Sequence, residues 1–375
     1  TFWKAITILK PGHLLEWQDS TIQVRKWYDF EQRITEIRAE NRPDPKTAIQ
    51  ELLLNSIQLR FRSDVPVGFN LSGGLDSSML FALISKQFEQ DTHIEAFTFY
   101  TGDERYDEIS YVEKLVNGSA YRLNSVKITP EEIPELAVEL QKNMSEPYGG
   151  LPTLAYAKLF KVASEKGFKV LLDGQGADEA WAGYDYYFNS NKSNIQGTSV
   201  APFRPNVLVP ELRNYPQRDD TPKPFSEKLL NWQYNDLFNT KLQRALRFSD
   251  RVSMKSSTEL REPFLDFRLV EEIFALPVEL KKQGNVQKWL FREIADDFLN
   301  NSLRLAPKRP LQTPQREWLS QELKPWAIDQ IQTLDKTGWF DMDEIQKELD
   351  LFMAGNNDSS FHIWQWINTA LIFNK

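Results

Sequence analysis

The chain has 375 residues, with 41% hydrophobic and 26% charged residues, a formal net charge of −8 and no cysteine. This length and apolar content suit one large α/β unit or two domains and leave little room for disorder, while the missing cysteines exclude a disulfide framework, a thiolate zinc site, an iron–sulfur cluster and a cysteine nucleophile. The acidic balance argues against nucleic acid as the main partner, because phosphate-backbone binding is driven by Lys and Arg, and no apolar run reaches the length of a membrane span.

In chain order, Pro11, Gly12 and His13 and the alternating run from Ile22 to Phe30 predict a β-hairpin followed by an extended connector. Ala48, Ile49, Leu52, Leu53, Ile57 and Leu59 fall mostly at helical spacing and predict a helix over 45–60 that leads to a strand over 65–71. Beyond the loop that follows, the pattern predicts a helix over 77–88, a strand over 94–100, a helix over 108–116 and a strand over 121–126. Next come helices over 130–143, opened by Pro130 and Glu131, and 154–166, and then a strand over 168–173. Strands alternating with long helices imply βαβ crossovers, so the expected fold is α/β, a parallel sheet with helices on both faces. Residues 189–224, rich in Asn, Ser and Pro, read as a long loop. Segments 225–247, 267–276, 286–300, 316–334, 342–354 and 361–375 read as helices, which makes the second half mostly α.

Three stretches carry chemistry. NLSGGLDSS over 70–78 follows a strand, where open α/β sheets bind ligands. Gly73 and Gly74 allow a tight turn, Ser77 or Ser78 can cap the next helix, and the first-turn amides make an anion site. Asp76 beside bound phosphate makes sense as a ligand of Mg²⁺. A second turn, after the strand ending at Leu172, clusters Asp173, Asp178 and Glu179 with Gly174 and Gly176. It is either an acidic solvated turn or a second metal ligand and substrate wall. In the third, Arg251, Arg261, Lys288 and Arg292 are candidate phosphate contacts, with Lys288 and Arg292 four residues apart on one helix face. The histidines, His13, His93 and His362, show neither metal nor triad spacing and read as structural.

SGGLDSS resembles the phosphate loop of the N-type ATP pyrophosphatases, the adenine nucleotide alpha hydrolase-like fold, and is not a Walker A loop. Taken in order, LSGGLDSS, AFTF, GQGADEAWAGY over 174–184, DRVSMKSSTELREPFLDFRLVE over 250–271, KWLFRE over 288–293 and PKR over 307–309 resemble the synthetase domain of class B, glutamine-dependent asparagine synthetases. Residues 1–30 are similar to the end of the glutaminase domain that precedes it in that family, which leaves 31–375 as the synthetase-like domain.

The resemblance implies an ATP-dependent ligase: a small carboxylate attacks the α-phosphorus of ATP, pyrophosphate leaves, and ammonia converts the acyl adenylate to an amide and AMP. It places Leu71 and Phe99 on the adenosine, Ser72, Gly73, Gly74, Ser77 and Ser78 around pyrophosphate, and Asp173 and Gly174 beside the nucleotide. It also places Asp76 and Asp178 on Mg²⁺ and Lys288 on the charge developing at the α-phosphorus, while Arg292 is counted among the phosphate contacts from its place in the third stretch. Two residues depart from the pattern SGEGSDE. Gln175 stands where the family typically has Glu, so either a base is supplied elsewhere, with Glu179 as the candidate, or the nucleophile differs. Asp173 stands in place of Ser and adds a negative charge. Relatives on this scaffold amidate sugar acids, close β-lactam rings or cyclise peptides, so substrate does not follow from fold. A nucleotide-binding protein without catalysis is the remaining alternative. The setting implied is cytoplasmic, and the ammonia source is free ammonia, a partner glutaminase or a glutaminase domain absent from this chain.

Overall fold

The computed structural model describes residues 1–40, 44–89, 91–189, 203–213, 221–307, 313–355 and 360–374. The chain opens on a hairpin of β1 (His13–Gln18) and β2 (Thr21–Lys26), then α1 (Phe30–Ala39) and α2 (Pro45–Arg60). There follow β3 (Val67–Asn70), α3 (Leu75–Phe88), β4 (Glu95–Tyr100), α4 (Ile109–Val116) and β5 (Arg122–Lys127). Helices α5 (Ile133–Met144) and α6 (Leu151–Glu165) lead to β6 (Val170–Leu172) and the short α7 (Ala177–Ala180). The second half runs through α8 (Pro210–Arg213), α9 (Lys228–Phe238), α10 (Lys241–Lys255), β7 (Glu259–Arg261), α11 (Phe267–Ala275) and α12 (Val278–Lys281). It continues with the ribbon β8 (Lys282–Gln283) and β9 (Val286–Gln287), then α13 (Trp289–Ala295), α14 (Asn301–Arg304), α15 (Gln315–Ser320), α16 (Lys324–Gln332), α17 (Met342–Met353) and α18 (Phe361–Phe373).

Local chemistry accounts for many of these boundaries. Asp44 accepts from Thr47 N and Pro45 occupies the first turn of α2, where a missing N–H costs nothing. Asp29 accepts from Gln32 N and starts α1, where the sequence reading has only a connector; Phe30, Ile34 and Ile37 on its buried face were the available signal. The helix read over 225–247 is two helices, because the chain turns at Asn239 and Thr240, whose amides both donate to Asn235 O. Residues 286–287 are strand rather than helix, and 316–334 is broken after Ser320. Of the loop read over 189–224, residues 190–202 and 214–220 lie outside the described residues; the rest includes α8.

Strands β5, β4, β3, β6 and β7 lie in that order in one sheet, and every neighbouring pair is parallel. Side chains alternate between two cores. Phe97 and Leu171 enter one core with α5, α6 and the C-terminal helices, while Phe69, Ala96, Val170 and Leu172 enter the other with α2, α3 and α13. The edge strand β7 was not expected, since Glu259, Leu260 and Arg261 carry no apolar run. From β3 the sheet grows first through β4 and β5, then on the other side through β6 and β7. The crevice between β3 and β6 is therefore the topological switch point, where ligands of doubly wound sheets bind.

The segment after β7 is tied back by Asp266, which caps α11 and meets Arg60 at 2.6 Å and Arg268 at 2.9 Å. Burial works to raise this carboxyl, yet the two guanidinium groups outweigh it and hold the pKa at about 2, against an ordinary value of 3.8. The folded value lies below the unfolded one, so the contribution, about 2 kcal/mol, is present above pH 4 and lost as pH falls toward 2. Urea unfolding of Asp266→Asn is expected to show that deficit at pH 6 and a closing gap near pH 2; a gap independent of pH would refute the assignment.

Candidate active site

The loops after β3 and β6 face each other across the switch point. In the first, Gly73 takes a φ of +79°, which a side chain would strain, and turns the chain into α3. Gly74 caps that helix with no side-chain hydrogen bond, so α3 starts two residues before the expected position and neither Ser77 nor Ser78 is its cap. Ser77 instead accepts from Ser72 N at 3.2 Å, lies 3.0 Å from Ser72 Oγ and donates to Gly74 O, which ties the loop to the first turn. The first-turn amides of this 14-residue helix thus border the crevice without a capping side chain, the arrangement that favours an anion.

The second loop brings Asp178 opposite Asp76, and Lys288 lies between them. Its Nζ is 2.6 and 2.7 Å from the two oxygens of Asp76 and 2.6 Å from Asp178 Oδ1, with the lysine 5% exposed. Burial works against the ammonium, but Asp178 and Asp76 together outweigh it and hold its pKa above the ordinary lysine value. Lys288 itself sits at a φ of +53°, a conformation rare for a residue with a Cβ, between β9 and α13. Gly183 makes room for the ion pair: a Cβ there would lie 2.2 Å from both Asp178 Oδ1 and Lys288 Cε.

A cavity of about 270 Å³ opens over this cluster. Leu71, Ser72, Gly74, Asp76, Ser77, Phe99, Asp173, Gly174, Gln175, Asp178, Glu179, Lys288 and Arg292 line it, so most residues singled out in the sequence meet here. Gly73 and Ser78 do not line it; Ser78 is fully buried beneath the turn. Arg292 donates to the carbonyls of Gln287, Arg304 and Ala306, which directs its guanidinium to the backbone of its own wall. Arg251 pairs with Glu146, and Arg261 with Glu259 and the carbonyls of Arg60 and Arg62, and neither lines the cavity. The turn around Asp173, Asp178 and Glu179 is not the solvated acidic turn: burial, with Asp178 beside it, pushes the Glu179 carboxyl up, and Tyr184 OH donates to it at 2.7 Å. Sequence spacing missed Asn70, Tyr156, Tyr184 and Gln287, which also line the cavity and come from separate elements. None of the three histidines lines it. Lys308 and Arg309 of the PKR string lie outside the described residues. Among the described residues no three His, Cys, Asp or Glu side chains cluster to hold a metal, and no helix is long and apolar enough to cross a membrane.

A five-stranded parallel sheet with a glycine-rich anion loop and an acidic loop at its switch point defines an α/β unit of the adenine nucleotide alpha hydrolase-like kind. The chain belongs to the asparagine synthase family, whose model matches residues 48–374. It is 26% identical to "Asparagine synthetase [glutamine-hydrolyzing] 1" of Bacillus subtilis over 87% of this chain and 58% of that protein. It is 29% identical to "Putative asparagine synthetase [glutamine-hydrolyzing] 1" of Methanocaldococcus jannaschii over 64% of this chain and 38% of that protein. It is also 24% identical to "Amidase chyE" of Penicillium rubens over 50% of this chain and 30% of that protein. The chain thus spans little more than half the length of the Bacillus relative.

Gly183→Ala is expected to destabilise by about 1–3 kcal/mol in denaturant unfolding, as overpacking does. Because the clash is with Lys288 Cε and Asp178, Lys288→Ala should relieve part of it. A double-mutant cycle is expected to give a coupling of about 0.5–3 kcal/mol, and strict additivity would show that the glycine serves something else.

Proposed function

We propose that the chain is an ATP-dependent ligase that adenylates a carboxylate, releases pyrophosphate and joins an amine to the acyl group. The observation that carries this reading is the convergence of Asp76, Asp178 and Lys288 beside the SGGLDS turn. Two carboxylates from opposite loops, a buried cation and a helix N-terminus together suit a polyphosphate and the charge it sheds. The α-phosphorus would lie where Lys288 can reach the developing charge, the pyrophosphate would rest on Ser72, Gly74 and Ser77, and Leu71 and Phe99 would border the adenosine. Gly73 and Ser78 would act by shaping the turn.

Asp76 and Asp178 fit a divalent cation in one respect: their carboxylates already converge on one position of positive charge, that of Lys288 Nζ. Mg²⁺ takes one or two protein carboxylates and completes its shell with phosphate oxygens and water, and bound there it would offset charge on the leaving pyrophosphate.

The two asparagine synthetases among the relatives are named as glutamine-hydrolysing, and by that likeness ammonia released from glutamine is the amine and aspartate the first carboxylate to try. The hairpin supports a preceding glutaminase domain as the source, since Leu15, Trp17, Ile22 and Val24 stand exposed on it as a seat for further chain. A second reading keeps the adenylation and changes the acceptor. Gln175 favours it, because an amide on the wall of the cavity cannot take up a proton.

Carboxylate-dependent exchange of labelled pyrophosphate into ATP, run with aspartate, uronic acids and short peptides, tests both. Exchange with at least one of them is expected, and Asp76→Ala should lower it by at least 100-fold with the fold retained. Absence of exchange and of AMP formation across the panel would overturn the ligase reading. Gln175→Glu is expected to raise aspartate-dependent AMP formation if position 175 sets acceptor choice.

A further inference from the structure

Asp173 and Glu262 follow β6 and β7 at the carboxyl edge of the sheet. These strands are parallel neighbours, with Leu172 paired to Arg261 and Asp173 N donating to Arg261 O at 3.0 Å, so the two residues leave the sheet side by side. Asn70, at the end of the next strand β3, donates from Nδ2 to Asp173 Oδ2 at 2.7 Å. Glu262 Oε2 is buried and has no hydrogen-bond partner.

The cations around the cavity are engaged elsewhere: Arg261 on Glu259 and two carbonyls, Lys288 on Asp76 and Asp178, Arg292 on backbone. Two buried carboxyls that leave neighbouring strands side by side do not both ionise at neutral pH. Burial, with the Asp173 charge beside it, pushes Glu262 well up, whereas Asn70 and the amides of Gln175 and Gly174 temper the effect of burial on Asp173. The pair therefore rests with a proton on Glu262 and a charge on Asp173, and Asp173 is the member that lines the cavity. Tyr156, which also lines the cavity, is held un-ionised by burial and by the Asp173 charge beside it.

We propose that Asp173 is the general base for the amine, with Glu262 as the positioning residue that keeps it a single, proton-hungry carboxylate. The idea rests on the ligase reading above. The amine nitrogen attacks the acyl carbon and the C–N bond forms. The bond from that carbon to the oxygen of AMP breaks, with its electron pair leaving on AMP. One N–H proton passes to Asp173. The pair is then neutral, and it returns a proton to water before the next turnover. Gln175, in the same loop, has no lone pair basic enough for this step.

With a carboxylate that supports exchange, Asp173→Asn is expected to lower ammonia-dependent amide formation by about 100-fold or more relative to pyrophosphate exchange. Hydroxylamine, uncharged at neutral pH, should still trap the acyl group in that variant. Glu262→Gln, nearly isosteric, should shift the same ratio less and remove a protonated-carboxyl stretch from the infrared spectrum at pH 7. Exchange falling in step with amide formation would make the pair structural. Selective loss in Glu179→Gln instead would move the base to Glu179, and persistence of the infrared band in Glu262→Gln would remove the shared proton. If the unaltered protein supports no exchange at all, the ligase reading fails, while the infrared comparison still decides whether the pair holds a proton.

Discussion

Two carboxylates on opposite loops, Asp76 and Asp178, close on the buried ammonium of Lys288, and much of the molecule is arranged so that they can. Each charge taken out of water costs several kcal/mol, and the trio is tolerated only because its geometry lets every partner meet another. That requirement reaches outward. It calls for a parallel sheet whose switch point sets the two loops opposite each other. It calls for a glycine at 183 to leave space, and for a left-handed residue at 288 to turn the lysine inward. A cluster with these demands is more constraint than stabiliser, since an apolar trio of the same volume would hold the walls together at less cost.

Charge around the cavity is divided by the strands that bear it. At one side, after β3 and β6, the carboxylates are balanced by Lys288. At the other, after β6 and β7, Asp173 has the Asn70 amide and Glu262 Oε2 has no hydrogen-bond partner, so a proton does the balancing. The β6 loop belongs to both arrangements, and its few residues carry Asp173, Gln175, Asp178 and Glu179 into one crevice. Burial is what separates their behaviour: Asp76 and Asp178 face an ammonium, whereas Glu262, with no cation beside it, is pushed toward its neutral form.

Much of the sheet was legible because buried parallel strands are short apolar runs between helices of clear period; β3, β4, β5 and β6 stand within a few residues of their expected places. Edge strand β7 was not, because a half-covered edge needs no apolar run, and α1 was hidden by a helix face that only Phe30, Ile34 and Ile37 reveal. The motif residues were found as strings, yet the string could not say that Ser78 lies under the turn while Ser77 borders the cavity. Nor could it say that Arg251 and Arg261 are engaged away from the site. Long charged side chains can reach in several directions, and only packing selects one.

By itself, the sequence determined the order of strands and helices, the glycine turn after β3 and the acidic turn after β6, because these depend on neighbours in the chain: periodicity, capping and the backbone freedom of glycine. Tertiary structure alone decided that Lys288, more than two hundred residues from Asp76, is the cation of that turn, that Gly183 is the space it occupies, and that Asp173 has Glu262 for a neighbour. Those are consequences of strand order and crossover, and burial then sets which carboxyls keep their charge, since desolvation depends on what surrounds a group in space rather than on what precedes it in the chain.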